Sequence, residues 1–201
     1  MGNGFDGCLT VITGWPRQGK TSFAIPLLKK PHVIACAGAS NETLQKYSWV
    51  PDTDKGLKYV SDHPTETLAI RCMHANPNLF KVLCDPAREV MLDEVGNICC
   101  TYQLKEAFVK YAREVGWKNG GLNVTATTQR PKSDIPPAVY DAARKIYWVG
   151  PCRSRTITNL LYDRTSLIMS EEEFELMLFS RVPFKYDKPN PKEAVFLIKD
   201  I

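Results

Sequence analysis

The chain has 201 residues and a mass of 22.7 kDa, room for one full domain with a short extension and for a core that folds without a disulfide or metal staple. Twenty-six Lys and Arg against 22 Asp and Glu give a formal charge of +4, which permits a polyanionic partner without requiring one. No apolar run approaches the ~20 residues of a membrane span, residues 1–10 lack the layout of a signal peptide, and seven cysteines without a Cys-x-x-Cys fit neither a disulfide framework nor a zinc ribbon. The expectation is a soluble protein of a reducing compartment with no transmembrane segment; His32, His63 and His74 are scattered and form no metal-ligand spacing.

Taken in chain order, Leu9–Thr13 is a short β-branched apolar run that predicts a strand, and Thr21–Lys30 a helix that Pro26 kinks or shortens. His32–Cys36 predicts a second buried strand. Ala37–His63, rich in Gly, Ser, Asn, Asp and Pro, reads as irregular. Thr67–Cys72 and Glu89–Asp93 predict strands, with a short helix over Asn78–Cys84 between them. Leu104, Ala107, Phe108, Tyr111 and Val115 recur at spacings of three and four, so Gln103–Val115 is a helix with one buried face, broken at Gly116 and Gly120-Gly121. Leu122–Thr127, Lys145–Val149 and Thr156–Tyr162 read as further strands. Ser170 and Glu173 make a capping box for a helix through Phe179. Ser180–Ile201 holds three prolines and the apolar run Ala194–Ile198, an extended tail with a final strand. Strands alternating with helical connections imply an α/β fold with a mostly parallel central sheet flanked by helices. The expected division is a main domain over 1–165 and a C-terminal helix and tail over 166–201, packed on the same domain or on a neighbouring subunit.

Two stretches carry chemistry. Gly14-Trp15-Pro16-Arg17-Gln18-Gly19-Lys20-Thr21-Ser22 fits strand–GxxxxGK[ST]–helix, in which loop amides wrap phosphates. Lys20 would reach the β- and γ-phosphates, Thr21 would offer its hydroxyl to Mg²⁺, and the remaining loop residues with Ser22 would complete the nest around the ATP phosphates. Val90-Met91-Leu92-Asp93-Glu94 is an apolar strand ending in two carboxylates. Asp93 would hold the metal through its water, and Glu94 would take a proton from an attacking water as general base. A small-molecule kinase has no need of that second acid, so the pair points to ATP hydrolysis.

A third element, Thr125-Ala126-Thr127-Thr128-Gln129-Arg130-Pro131, ends a strand with a Gln placed for a γ-phosphate or its water. In this order the three resemble the FtsK–HerA superfamily of DNA-pumping P-loop ATPases, and the length is similar to that of the genome-packaging ATPases of tailless icosahedral, often membrane-containing viruses, a likeness that covers Leu9–Tyr162. The resemblance implies a RecA-like P-loop fold and a homo-oligomeric ring, pentamer or hexamer, around double-stranded DNA. It also implies a capsid or membrane protein as partner at a packaging vertex, and a location in the host cytoplasm or the virion. A neighbour's arginine would complete each site. Arg113, in Arg113-Glu114-Val115-Gly116, is the candidate finger, with Arg88, Arg144, Arg153 and Arg155 also available. The sequence departs from the family pattern in the loop Trp117–Gly121 and in Thr128, inserted before Gln129. Lys118, Arg130 and Lys132 are candidate DNA phosphate contacts.

Three other readings stand beside this one. A nucleoside or nucleotide kinase would need a basic lid, and no lid is identifiable. A Zot-like phage assembly ATPase that pumps no DNA shares the motifs but carries a membrane anchor. A nucleotide-gated capsid-vertex module would hydrolyse slowly.

Overall fold

The computed structural model describes residues 8–38, 42–117, 122–150, 152, 154–165, 168–180 and 195–200. Eight strands form one sheet: β1 (Cys8–Gly14), β2 (His32–Cys36), β3 (Ser48–Pro51), β4 (Leu68–Arg71), β5 (Glu89–Asp93), β6 (Asn123–Thr128), β7 (Lys145–Val149) and β8 (Val195–Asp200), in the order β3-β4-β2-β5-β6-β1-β7-β8. All neighbours pair parallel except β7 with β8. Parallel strands need both faces covered, which is why β1, β2 and β5 read as continuous apolar runs. Leu9, Val11, Val33, Ala35, Val90 and Leu92 point into the larger core, and Ile12, Ile34 and Met91 into the smaller core on the other face.

The larger core lies under α2 (Asp54–Asp62), α3 (Leu79–Val82), α4 (Val95–Ile98), α5 (Tyr102–Trp117) and α6 (Pro137–Ala142). The other face is covered by α1 (Lys20–Ala24), a 3₁₀ turn over Ile25–Leu27 and the Leu44–Trp49 segment. Pro26 lies in that turn, so the first helix ends at Ala24 and not at Lys30. α5 continues through Gly116, its predicted break, and ends one residue later at Trp117. Lys118 and the Gly120-Gly121 pair lie outside the described residues.

Two expectations are corrected. Ala37–His63 is not irregular, for it holds β3 and α2. Thr53 caps α2 by accepting the Gly56 N–H at 3.2 Å, and Leu57 and Val60 face the core. Gly56, which reads as a breaker, stands where a Cβ would lie 2.0 Å from the Pro51 carbonyl oxygen. The glycine is there for close packing of helix on strand. Thr156–Tyr162 is not a strand but lies within α7 (Arg155–Tyr162), whose buried Ile157, Thr158 and Leu161 keep helical spacing. The β-branched pair at Thr156 and Ile157 imitated a strand, and tertiary packing overrode that propensity.

The Ser170–Glu173 capping box forms in both directions, Glu173 N–H to Ser170 Oγ at 3.2 Å and Ser170 N–H to Glu173 Oε2 at 2.8 Å, and opens α8 (Glu171–Ser180). Phe174 and Leu178 of α8 and Phe196 and Ile198 of β8 belong to the same core as β1 and α5. No helix among the described residues is long and apolar enough to cross a membrane.

The carboxyl ends of β3 and β4 are tied by Asp52, fully buried and accepting from Met73 N–H at 3.0 Å, His74 N–H at 3.1 Å and His74 Nδ1 at 2.7 Å. Burial opposes its ionisation, but these donors outweigh burial and hold its carboxyl below the usual range. Asp52→Ala is expected to lower stability by about 2–3 kcal/mol in urea unfolding at neutral pH, because three donors lose a charged acceptor. The folded pKa is depressed, so this stabilisation is present above the unfolded pKa and is lost as the pH falls through the folded one. The gap between wild type and variant therefore closes in acid.

Candidate functional site

β1 ends at Gly14, and the chain turns through Trp15–Gly19 into α1, putting the loop at the carboxyl edge of the sheet between β6 and β7. Gly14 has φ 153°, and a Cβ there would lie 2.2 Å from the Val149 carbonyl oxygen, so the turn requires glycine. Trp15 packs edge-on to Trp148 with centroids 6.0 Å apart, and the Gln18 side chain lies against Gly150. Both contacts anchor the loop on β7. Gly19, at φ 83°, is the left-handed residue from which α1 starts, and Arg17 at φ 63° is left-handed as well. Ser22 is exposed on the outer side of the first turn.

Lys20, 3% exposed, donates to the Trp15 carbonyl oxygen at 3.0 Å and stands 3.7 Å from Glu94 Oε1. Burial pulls its ammonium pKa down, and the Glu94 and Asp93 charges pull it back. Thr21 Oγ1 donates to Asp93 Oδ1 at 2.9 Å. Asp93 closes β5 beside β2, where the Cys36 thiol reaches its Oδ2 at 3.7 Å. Burial, then the Asp93 charge, pushes that thiol up to about 12, so it stays protonated and donates.

Glu94 follows with φ 56° and ψ 62°, left-handed backbone in a non-glycine residue. Such strain costs of order 1 kcal/mol and concentrates at functional sites. Burial raises the Glu94 carboxyl pKa; hydrogen bonds from Gln129 and Lys20 work against it without cancelling it. Gln129 comes directly after β6 and reaches across to Glu94. The structure thus brings Gly14–Thr21, Asp93, Glu94 and Gln129 to one point on the sheet edge.

Arg113 lies elsewhere. α5 starts after the carboxyl end of β5 and feeds the amino end of β6, so Arg113, near its last turn, is exposed toward the opposite edge of the sheet from its own Lys20. That position leaves it no role in cis. Arg88 is removed from the list of fingers by burial: it is 3% exposed, and its guanidinium is bonded to the Val60 carbonyl oxygen at 2.8 Å and faces Asp85 at 3.4 Å. Arg155 is exposed at the start of α7, Arg144 is half-buried, and Arg153 lies outside the described residues. Arg130 and Lys132 are exposed on the turn after β6.

Sequence reasoning missed Thr127, which is fully buried in β6 and bonded to both acidic positions. It also missed Cys36. A threonine in a strand and a small apolar thiol carry no signal of their own.

The donor set suits a magnesium nucleotide. Thr21 gives its proton to Asp93, which leaves the hydroxyl lone pairs free for a hard cation. Among the described residues no group of three His, Cys, Asp or Glu side chains could hold a metal. Two protein ligands with phosphates and waters filling the rest is how Mg²⁺ is usually bound.

No protein-family model matches the sequence, and no curated protein matches it. Solved structures do. The genome packaging NTPase of Sulfolobus turreted icosahedral virus 2 in complex with ATP-gammaS superposes with a TM-score of 0.59 at 17% identity over 98% of each chain. The same protein with AMPPCP gives 0.56 at 18%, again over 98% of each chain. The DNA-packaging ATPase of Sulfolobus turreted icosahedral virus gives 0.58 at 17%, covering 98% of this chain and 99% of that one. The fold is that of a P-loop NTPase. A P-loop NTPase places its phosphate loop after the first strand at the carboxyl edge of the sheet, and here Lys20, Asp93 and Gln129 converge at that edge.

Proposed function

We propose that the chain is an ATPase of the FtsK–HerA type that moves double-stranded DNA, packaging a viral genome into a preformed shell. The observation that carries the reading is the Asp93-Glu94 pair set against Lys20, Thr21 and Gln129, an arrangement for activating water and not for holding a phosphoryl acceptor. The end-to-end likeness to a genome packaging NTPase supports the cargo.

In this reading the Trp15–Gly19 amides and Lys20 bind the β- and γ-phosphates. Arrival of the γ-phosphate gives Lys20 a stronger partner than the Trp15 carbonyl and Glu94, which frees the Glu94 carboxylate. Thr21 and Asp93 would hold Mg²⁺, which when bound would offset charge on the phosphate oxygens. Gln129 aligns Glu94 and the attacking water, and Glu94 Oε1 takes the proton as the water oxygen bonds to the γ-phosphorus and the bond to the β,γ-bridging oxygen breaks in line, releasing ADP and inorganic phosphate. Arg113, remote from its own Lys20, serves a neighbour in a homo-oligomeric ring, five- or six-membered. There it stabilises charge on the transferring group. Lys118, Arg130 and Lys132 contact DNA phosphates, and the ring docks on a capsid or membrane protein at the vertex.

The test is steady-state ATP turnover with and without double-stranded DNA over a salt series. DNA is expected to stimulate turnover, and the stimulation to fall steeply between about 50 and 200 mM salt, because phosphate contacts release counterions. Turnover raised by nucleosides and indifferent to DNA would overturn the translocase reading in favour of a kinase.

A further inference from the structure

We infer that Thr127 is a positioning residue that sets both carboxylates of the site through one hydroxyl. Its Oγ1 donates to Asp93 Oδ1 at 3.0 Å and accepts from Glu94 N–H at 2.9 Å, and the residue is fully buried. A hydroxyl has one proton and free lone pairs, so it serves both neighbours at once.

The sheet register explains why a side chain is needed there. β5 and β6 pair through Val90–Val124, Met91–Thr125 and Leu92–Ala126, and the ladder stops. On its other side β6 stays paired with β1 through Ile12–Thr127 and Thr13–Thr128. The strands β5 and β6 therefore part at the level of the acids. The left-handed turn at Glu94 points an N–H into the gap, where no backbone carbonyl of β6 receives it. The Thr127 hydroxyl takes the place of the missing ladder bond. Two consequences follow. The Glu94 peptide is held in a strained conformation that aims its carboxyl toward Lys20 and Gln129. Asp93 Oδ1 receives a second hydroxyl proton beside that of Thr21, which with the Cys36 thiol on Oδ2 fixes the carboxylate plane. Both hydrogen bonds of the Thr127 hydroxyl go to the acids, so it acts through Asp93 and Glu94.

The inference rests on Glu94 and Asp93 having the roles proposed above. It is tested with Thr127→Val, which keeps the shape and removes the hydroxyl, and with Thr127→Ser and Thr127→Ala, which both lack the methyl and differ only in the hydroxyl. Four quantities are measured: kcat and KM for ATP, the Mg²⁺ half-saturation of calorimetric binding of a non-hydrolysable ATP analogue, and Tm. The valine and alanine variants are expected to lose about 30-fold in kcat and to need about fivefold more Mg²⁺, with KM within about threefold, as for a lost hydrogen bond to a charged group. The serine variant is expected to stay within about threefold of wild type in kcat, KM and Mg²⁺ half-saturation. A serine variant as impaired as the alanine one, or valine and alanine variants with kcat within about threefold of wild type, overturns the inference. If the valine variant fails to fold, the serine and alanine pair decides. Wild-type protein that binds the analogue but turns over no ATP defeats the ATPase reading instead; the Mg²⁺ series then decides alone, and an unchanged half-saturation in the alanine variant overturns the role of Thr127.

Discussion

Glu94→Gln is expected to lower steady-state ATP turnover about 10³-fold while changing ATP affinity by less than about threefold. Glutamine keeps the length and the hydrogen-bonding reach of the side chain but accepts no proton from water. The phosphate-binding groups, Lys20 and the loop amides, are untouched, so binding survives. Burial has raised the Glu94 pKa, which strengthens it as a proton acceptor, and Gln129 and Lys20 work against that rise. Glu94→Gly separates the chemistry from the fold. At φ 56° glycine is the more comfortable residue, so this variant is expected to unfold at or slightly above the wild-type Tm while being equally inactive. Turnover within about tenfold of wild type in Glu94→Gln would take the general base away from this residue.

The convergence of much of the candidate site was legible because its residues are constrained at short range. The phosphate loop needs glycine and lysine at fixed spacing, and a fully buried strand such as Glu89–Asp93 must be apolar until it emerges at its carboxyl end. The residues between 37 and 63 were not legible for the opposite reason. β3 is short and ends in Pro51, and α2 contains Gly56, so their composition is that of a loop and their order comes from packing on β4 and from the Thr53 cap. α7 shows the complementary failure, where threonines and isoleucine favour a strand locally and burial of Ile157 and Leu161 decides for a helix. Charge positions are the least legible. Nothing in the sequence distinguishes Arg88, buried against Val60 and Asp85, from Arg113, exposed on α5, and only the fold sorts them. Thr127 belongs to this class too, since its part in the site follows from a register that ends one residue early.

Lys20→Met is expected to abolish stabilisation of the protein by magnesium ATP while leaving the ligand-free protein about as stable as wild type. Lysine and methionine have similar bulk, and the ammonium is 3% exposed, so the free protein holds a charge whose hydration it has largely lost. In return that charge receives one carbonyl bond and a 3.7 Å contact with Glu94. Removing it ends the desolvation cost and leaves Glu94 without its cation. Glu94 is 20% exposed at its side chain and has a raised pKa, so it can rehydrate or take up a proton. The two changes oppose each other, and the free Tm should move by less than about 3 °C, the shift that roughly 1 kcal/mol produces in a chain of this size. The bound state has no such compensation. Wild-type protein at an ATP concentration 100 times its Kd gains about 2.7 kcal/mol, which corresponds to roughly 5–10 °C in a thermal melt. With methionine the β- and γ-phosphates face an apolar side chain where they had a cation, and the shift should vanish at the same ATP concentration. A wild-type-sized shift in Lys20→Met would mean that ATP binds elsewhere on the chain. A large fall in the free Tm would mean that the Lys20–Glu94 contact is a structural tie and not a charge held ready for phosphate.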